Sequence, residues 1–310
     1  MNAAPKLPDP EHQLPELPFD SWKDTLATLH MWTQIVGKVR LELTPLVNHW
    51  WNVPLYITAR GLTTSPMPYD SGDIEIYFDF IAHKLLIETS DGELRELALK
   101  PQSVAQFYKQ FMAVLSELQV PVKIWTKPCE LPPEHTIPFE EDAQHASYDP
   151  EAAHNFWRIL VWVDSVFKEF RADFLGKVSP VHFFWGSFDL AVTRFSGRRA
   201  PPRPDADSIT REAYSHEVSS AGFWPGGGDL KGPSFYSYAA PEPPGFAEQS
   251  VRPASAFYHP VMKEFLLPYD DVRGADSPKA SLMDFLQTTY DAAADLAKWD
   301  RKALERRARR

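Results

Sequence analysis

Two stretches of the chain repeat the same order of features, and this apparent repeat constrains the fold more than any other pattern. Each has a segment of helical periodicity containing tryptophan, then a proline, a histidine followed by two aromatic residues, and an extended segment ending in threonine and arginine. The stretches are residues 31–60 and 161–194. We therefore predict an α+β fold of two pseudo-repeated halves, each an antiparallel sheet flanked by helices, which meet at a central cleft.

Length and local composition predict how the chain is divided. A chain of 310 residues can form one large domain or two of ordinary size. A segment rich in proline and acidic residues, without periodicity, is the best candidate for a linker between the halves. The predicted parts are a Pro-rich tail (1–18), a first α+β half (19–127), a linker (128–148), a second α+β half (149–300) and a basic tail (301–310).

Apolar periodicity and capping residues predict the individual elements. We expect the first helix to be capped by Asp20 or Ser21, and the third to begin at Asp149-Pro150 and stop near Gly176. The predicted helices cover residues 20–43, 103–118, 149–177 and the segment after 277. The predicted strands cover residues 53–60, 73–81, 85–89, 94–99, 120–126, 181–195, 216–220, 234–239 and 264–267.

Charge and cysteine content narrow the classes of partner. The formal net charge of −10 disfavours nucleic acid and anionic lipid as partners. The single cysteine, Cys129, allows no internal disulfide, and no apolar run reaches the roughly 18 residues of a membrane span. We expect a cytoplasmic protein with a small-molecule ligand and with neither nucleic acid nor membrane as a partner. The sequence leaves the cofactor and the oligomeric state open.

The first predicted helix has an unusual polar face. His30, Gln34 and Lys38 are spaced four residues apart and therefore stack on one side of the helix. Gly37 beside them costs up to ~1 kcal/mol relative to alanine, so a ligand or a neighbouring group is expected to approach closely there. This face either lines a pocket, where it would position substrate, or faces solvent.

Histidines and carboxylates supply the candidates for chemistry. His49 and His182 begin the two aromatic pairs, and His216-Glu217 adds a third histidine. The ordinary alternative is a partly buried histidine bonded to backbone. The functional hypothesis gives acid/base roles to His182, Asp189, His216 and Glu217, and a substrate-positioning role to His49. The histidines and Glu217 would also suit a metal, but their spacing predicts none.

Arginines and tryptophans complete the predicted site. Arg60 and Arg194 end the two repeated strands, and a guanidinium group suits a carboxylate or phosphate ligand. The alternative is that both pair with the acidic surface. Trp50, Trp185 and Trp224 are predicted to wall the cleft, with Trp224 carried on a Gly-rich segment that could act as a mobile lid.

Four long motifs resemble those of a bacterial protein family of unknown function. They are residues 28–38, 49–56, 179–189 and 214–220. The similarity covers nearly the whole chain after the N-terminal tail. It implies a bacterial cytoplasmic protein, and it carries over no reaction and no catalytic residue.

These patterns lead to three functional hypotheses. The first is an enzyme that uses His/Asp/Glu acid–base chemistry on a small anionic molecule in an aromatic-lined cleft. The second is a non-catalytic small-molecule binding protein that uses the same pocket. The third is a metal-dependent enzyme with His and Glu ligands, which requires three of those ligands to converge. All three depend on whether the three histidines share one hydrogen-bond network.

Overall fold

The computed structural model describes residues 14–132, 136–228, 230 and 232–306. In this part of the chain, helices and two antiparallel sheets confirm the α+β class. The helices are α1 (Phe19–Leu43), α2 (Val104–Glu117), α3 (Pro150–Ala172), α4 (Ser208–Ala213), α5 (Tyr269–Arg273), α6 (Pro278–Leu296) and α7 (Arg301–Leu304). The strands are β1 (Tyr56–Ile57), β2 (Gly61–Thr63), β3 (Met67–Tyr69), β4 (Gly72–Asp79), β5 (Lys84–Thr89), β6 (Leu94–Ala98), β7 (His182–Phe184), β8 (Asp189–Arg199), β9 (His216–Trp224), β10 (Ser234–Ala240), β11 (Phe257–His259) and β12 (Glu264–Pro268).

The first sheet has the order β1-β2-β4-β5-β6, with β3 paired to β4. Ile74, Ile76 and Phe78 alternate along β4 and are all buried, as the period of two predicts. The turn between β5 and β6 contains Gly92 at a φ of 94°, a conformation that glycine adopts without strain.

The second sheet has the order β11-β12-β10-β9-β8-β7 and two unlike faces. One face packs against α3 and α6, which contact β8, β9 and β10. Leu190, Val192 and Arg194 of β8 point to these helices. Because side chains alternate along a strand, Asp189 and Thr193 point to the opposite face. We call this opposite side the cavity face.

The two sheets meet at a short backbone pairing. The amide nitrogens of Leu55 and Phe183 each donate to the other residue's carbonyl oxygen at 2.9 Å. Buried apolar residues form a cluster that extends from Leu17 to Trp299. The first and second sheets are thus joined through backbone and core contacts.

Local capping signals predict several helix starts correctly. The side chains of Ser103, Asp149 and Ser277 accept hydrogen bonds from the first-turn amides of α2, α3 and α6. The predicted cap of α1 is wrong: the N-cap residue is Pro18, without a side-chain cap, and Ser21 donates to the Pro18 carbonyl.

Several predicted elements also differ from the structure. The strand expected over residues 53–60 covers only Tyr56–Ile57. Helix α3 ends at Ala172 and not near residue 177. The segment 181–195 is two strands joined by a turn at 185–188, and residues 120–126 form no strand. Residues 120–126 contact a helix instead of a neighbouring strand: the Trp125 carbonyl accepts a hydrogen bond from Lys38 of α1 at 3.1 Å.

The described parts of the predicted tails pack onto the fold. Leu17 is buried, and the Tyr269 hydroxyl donates to the Pro15 carbonyl at 2.8 Å. At the other end, Arg306 donates through its amide and its Nε to the carbonyls of Asp173 and Ala172 at the end of α3. Residues 1–13 and 307–310 lie outside the described residues.

Hydrophobicity along the helices does not reach that of a membrane span. In the described residues, no helix is both long enough and apolar enough to cross a bilayer.

Candidate functional site

A cavity of about 660 Å³ lies on the cavity face of the second sheet. Strands β8, β9 and β10 form its floor, and its walls come from the segment around residues 49–53, from residues 129–130, from the turn after β7 and from α4. Its volume is within the usual range for small-molecule sites. Its lining includes the side chains of His49, Trp50, Trp51, Glu130, Phe184, Trp185, Ser187, Asp189, Phe195, Asp207, Tyr214, Ser220, Tyr236 and Tyr238.

Asp189 is the buried carboxylate of this cavity. Its Oδ1 accepts from the Ser187 hydroxyl at 2.5 Å, and its Oδ2 accepts from the Tyr236 hydroxyl. Burial raises the pKa of Asp189, while the two hydroxyl donors act in the opposite direction. The hydroxyls therefore partly offset the cost of keeping a charge at this depth.

Two further carboxylates line the cavity. Desolvation by the surrounding protein raises the pKa of Glu130, although the residue is exposed, and the charge of Asp189 raises it further. The Ser187 hydroxyl acts in the opposite direction on the pKa of Glu130, but it donates its one proton to Asp189. Asp207 caps α4 by accepting from the backbone and hydroxyl of Thr210, which lowers its pKa. Asp189 is thus the one buried acid of these three, since Glu130 and Asp207 are exposed residues.

A glycine in β9 allows the tyrosine to reach the aspartate. Tyr236 is on β10 and Asp189 is on β8, so the ring must cross the intervening strand β9. Gly222 lies directly opposite Tyr236, and a Cβ built there would be 2.3 Å from both Cζ and Oη of the ring. The absence of a side chain at Gly222 is what leaves room for this hydrogen bond.

His49 presents one unpaired ring nitrogen. It adopts a φ of 60°, and its Nδ1 lies 3.1 Å from the Glu212 carbonyl and 3.2 Å from the Ala213 carbonyl. Because carbonyl oxygens only accept, Nδ1 carries the proton and Nε2 keeps its lone pair. Burial, followed by the charge of Lys177, lowers the pKa of His49. The residue is 6% exposed and lines the cavity, and Nε2 has no hydrogen-bond partner among the described residues.

Aromatic side chains make up much of the remaining wall. Tyr214 and Tyr238 join their hydroxyls at 2.8 Å, and Trp185 donates through Nε1 to the Val53 carbonyl at 2.8 Å. No lysine or arginine is among the residues described as lining the cavity. The site therefore combines aromatic surfaces with groups that mainly accept hydrogen bonds.

A second cavity of about 210 Å³ adjoins the first. The two share Ser187, Asp189, Tyr236 and Tyr238, and the smaller one adds Glu264. It is further lined by Trp224, Leu230, Ser234, Met262 and Leu266. Asp189 thus contributes to both cavities.

The polar face of α1 forms hydrogen bonds with the backbone of two residues that line the larger cavity, Gly186 and Cys129. His30 Nε2 donates to the Gly186 carbonyl at 2.8 Å, and burial lowers the pKa of His30 to about 4. Gln34 pairs with both the amide and the carbonyl of Cys129, at 2.9 Å each. None of His30, Gln34 and Lys38 lines either cavity, so protein backbone covers the face for which we expected ligand or solvent.

The close approach expected at Gly37 is made by a tryptophan. A Cβ built on Gly37 would lie 2.4 Å from the Trp185 ring. Trp185 is thereby fixed between α1 and the larger cavity, whose wall it forms together with Trp50.

No hydrogen-bond network within the described residues joins His49, His182 and His216. The rings of His49 and His216 are 5.6 Å apart, but His216 Nδ1 is bonded to Ser215. His182 is fully buried, its ring contacts Trp51 and lies 3.4 Å from the Tyr56 hydroxyl, and burial lowers its pKa to about 3. Neither His182 nor His216 lines either of these two cavities.

Glu217 forms an ion pair with Arg198 and lines neither cavity. It accepts from Arg198 at 2.6 Å and 2.9 Å, and Arg198 also donates to the Ala297 carbonyl after α6. In the described part of the chain, no three His, Cys, Asp or Glu side chains come together as a metal site would need. The convergence required by the metal hypothesis is therefore not found there.

Arg60 and Arg194 do not line the cavities either. Arg60 donates to Asp79 at 2.7 Å. Arg194 points to the helix side of the second sheet, where it donates to the Phe170 carbonyl and lies 3.5 Å from the Phe170 ring centroid. Trp224, the last residue of β9, donates to the Ser187 carbonyl at 3.2 Å. It is therefore part of the sheet and not of a lid.

Comparison with known proteins assigns the chain to a family. A family of unknown function, DUF5996, matches residues 14–306. The chain belongs to this family. No curated protein and no solved structure matches it. The expected membership of a family of unknown function is thus confirmed, and the site itself must carry the functional argument.

Sequence reasoning missed most of the side chains around Asp189. Glu130 lies in the segment predicted as a linker, and nothing in the sequence near it indicates a site. Tyr236 and Tyr238 alternate with Phe235 and Ser237 along β10. That alternation is a usable signal, because it gives one face of the strand two polar aromatic side chains. Of the predicted site residues, His49, Trp50, Trp185 and Asp189 line the larger cavity and Trp224 lines the smaller.

Proposed function

We propose that the chain binds a small molecule with an ammonium or similar cationic group in the larger cavity. The observation that carries this proposal is the charge of the lining. Glu130, Asp189 and Asp207 bring three carboxylates to the cavity, and its described lining includes no lysine or arginine. His49 adds an unpaired acceptor nitrogen. A ligand that donates hydrogen bonds and carries positive charge complements these groups.

Electrostatics favour a cation over the anion expected from the sequence. An anion would lose hydration on entering the cavity and would meet like charges, and such a juxtaposition costs several kcal/mol. Aromatic faces attract cations instead, as the Lys177 ammonium group 5.0 Å from the Trp51 ring centroid illustrates. The guanidinium groups of Arg60 and Arg194, which led us to expect an anion, are engaged with Asp79 and Phe170.

A second candidate is catalysis by Glu130 and Asp189. Both have raised pKa values, and the charge of Asp189 is one of the causes that raise the pKa of Glu130. One proton held between them would let one group act as acid and the other as base. This version of the enzyme hypothesis uses Glu130 in place of His182, His216 and Glu217. A 13C-carboxyl NMR titration checks it: independent titration of both acids near pH 4 would contradict it.

The binding proposal is tested with three probes of similar shape and different charge. Benzylamine is positive, benzyl alcohol neutral and benzoate negative at pH 8. We expect benzylamine to raise the melting temperature and to bind saturably in calorimetry, and benzoate to do neither. Equal effects of benzylamine and benzoate, or no saturable benzylamine binding up to about 50 mM, would overturn the proposal.

Matched variants locate the binding. Glu130→Gln and Asp189→Asn each remove one charged partner, which is worth about 1.5–3 kcal/mol or more than about tenfold in affinity. Glu117→Gln is the control, because it removes the same charge at an exposed position of α2. We expect Glu117→Gln to bind benzylamine as the native chain does. An equal loss in all three variants would mean that only the net charge matters.

We also propose that the two His–aromatic segments descend from one duplicated unit, and that the protein is bacterial and cytoplasmic. The shared order of tryptophan, proline, histidine, aromatic pair, threonine and arginine in residues 31–60 and 161–194 supports the first proposal. The resemblance of the four motifs to a bacterial family supports the second.

A further inference from the structure

We infer that the ligand is a linear dication whose second ammonium group lies in the smaller cavity beside Glu264. This inference rests on the proposed function of the larger cavity. The two cavities meet at Ser187, Asp189, Tyr236 and Tyr238, so a chain-like molecule held at Asp189 can extend from one into the other.

Glu264 is oriented as an acceptor on the cavity face. Leu266 lies directly opposite Tyr236 on the neighbouring strand, and Glu264, two residues away from Leu266, shares its face. No hydrogen bond or ion pair to the Glu264 carboxylate is found within the described ranges of the chain. The residue directly opposite on β11 is His259, whose Nδ1 already accepts from the Met262 amide at 3.2 Å.

The electrostatic surroundings of Glu264 also favour a cation beside it. Burial, followed by the charge of Asp189, raises the pKa of Glu264 to about 7. The folded chain therefore holds two carboxylates that repel each other across the shared wall. An ammonium group beside Glu264 would neutralise this repulsion and return the carboxyl to its charged form.

The remaining wall of the smaller cavity suits a methylene chain. Trp224, Leu230, Met262 and Leu266 supply apolar or polarizable surface and no charge. Asp189 on β8 and Glu264 on β12 are separated by three strand spacings, about 14 Å across the sheet, and the register offsets them by a further four residues along it. The two acidic side chains cover part of this distance and the ligand must cover the rest. We therefore choose α,ω-diaminoalkanes with about four to eight methylene groups for the test.

The experiment compares diamines with monoamines of the same length. Affinities of 1,6-diaminohexane and 1-aminohexane, and of the neighbouring chain lengths, are measured by calorimetry at pH 8.5, where Glu264 is ionised. We expect the best diamine to bind at least about tenfold more tightly than its monoamine, which corresponds to one charge-assisted hydrogen bond. Two equivalent ends alone account for a factor of about two.

Glu264→Gln provides the decisive comparison. The variant should bind the diamine no more than about twofold more tightly than it binds the monoamine. Glu248→Gln, which removes a charge from an exposed loop, should change neither affinity.

The possible results separate this inference from the proposed function. If monoamines bind but the diamine gains no more than about twofold, or if Glu264→Gln leaves the gain intact, the dication inference is overturned and the cationic site stands. If neither monoamines nor diamines bind, both are overturned. A gain that Glu264→Gln removes supports both.

Discussion

Replacement of Gly222 by alanine should displace Tyr236 and break its hydrogen bond to Asp189. The new Cβ would lie 2.3 Å from Cζ and Oη of the ring, whereas nonbonded heavy atoms pack at about 3.5 Å. The ring must therefore move by roughly 1.2 Å. O–H···O bonds form over a spread of only about 0.5 Å, so this movement exceeds what the bond can absorb.

The expected loss of stability has two sources. Overpacking of a close contact costs about 1–3 kcal/mol, and loss of a hydrogen bond to a charged group costs about 1.5–3 kcal/mol. Movement of the ring reduces the overpacking but breaks the hydrogen bond, so the two costs are not both paid in full. We expect the free energy of unfolding to fall by about 2–5 kcal/mol in total. Urea unfolding measures it. Gly232→Ala is the control, since a Cβ there meets nothing within 4 Å, and it should change stability by less than about 1 kcal/mol.

A double-mutant cycle tests the cause. With Tyr236→Ala present, no ring opposes the new methyl group, so Gly222→Ala should cost less than about 1 kcal/mol. The steric explanation is refuted if Gly222→Ala costs as much in the Tyr236→Ala background as in the native chain. A neutral Gly222→Ala would refute the required displacement itself.

Three other changes have equally specific outcomes. Gln34→Leu leaves the Cys129 amide and carbonyl unpaired and should lower the free energy of unfolding by about 2–4 kcal/mol in urea; a loss below about 1 kcal/mol would contradict this. Arg194→Met removes the donor to Phe170 and should change stability by at most about 3 kcal/mol while benzylamine affinity stays within about twofold; a large loss of affinity would return Arg194 to the ligand site. Because Glu264 has a folded pKa of about 7 against an ordinary value of 4.5, its contribution to stability is present below pH 4.5 and lost as pH rises to 7. Melting temperatures of Glu264→Gln should lack that part of the decline, and a pH-independent difference from the native chain would contradict it.

The sequence predicted those parts of the fold that local chemistry determines. Asp149-Pro150 and Ser277 start helices because capping needs only a side chain and the amides that follow it. The end of α3 was less predictable, since its last turn is capped by Arg306 from a distant part of the chain. The covering of the α1 polar face was also unpredictable, because faces that meet solvent, ligand or backbone all contain polar residues.

The same distinction applies to the site. Asp189 could be recognised because a carboxylate is unusual in an otherwise apolar strand, and it does line both cavities. Tyr236 is its partner only because the strand order places β9 between them and Gly222 leaves the space. Consecutive strands often pair, but no short segment determines the register that places Gly222 opposite Tyr236. The groups around Asp189 therefore could not be derived from local patterns.

The two bonds of Gln34 have a consequence for how the site can change. A carboxamide that both donates to and accepts from one residue reproduces the contact that an adjacent strand would make, so α1 holds the chain at Cys129 as a sheet edge would. Glu130 follows immediately, with a φ of 56°. Helix α1 therefore holds the backbone that carries this acid. A displacement of this part of the wall requires Cys129 to release both bonds, so it is coupled to a loss of contact between α1 and Cys129.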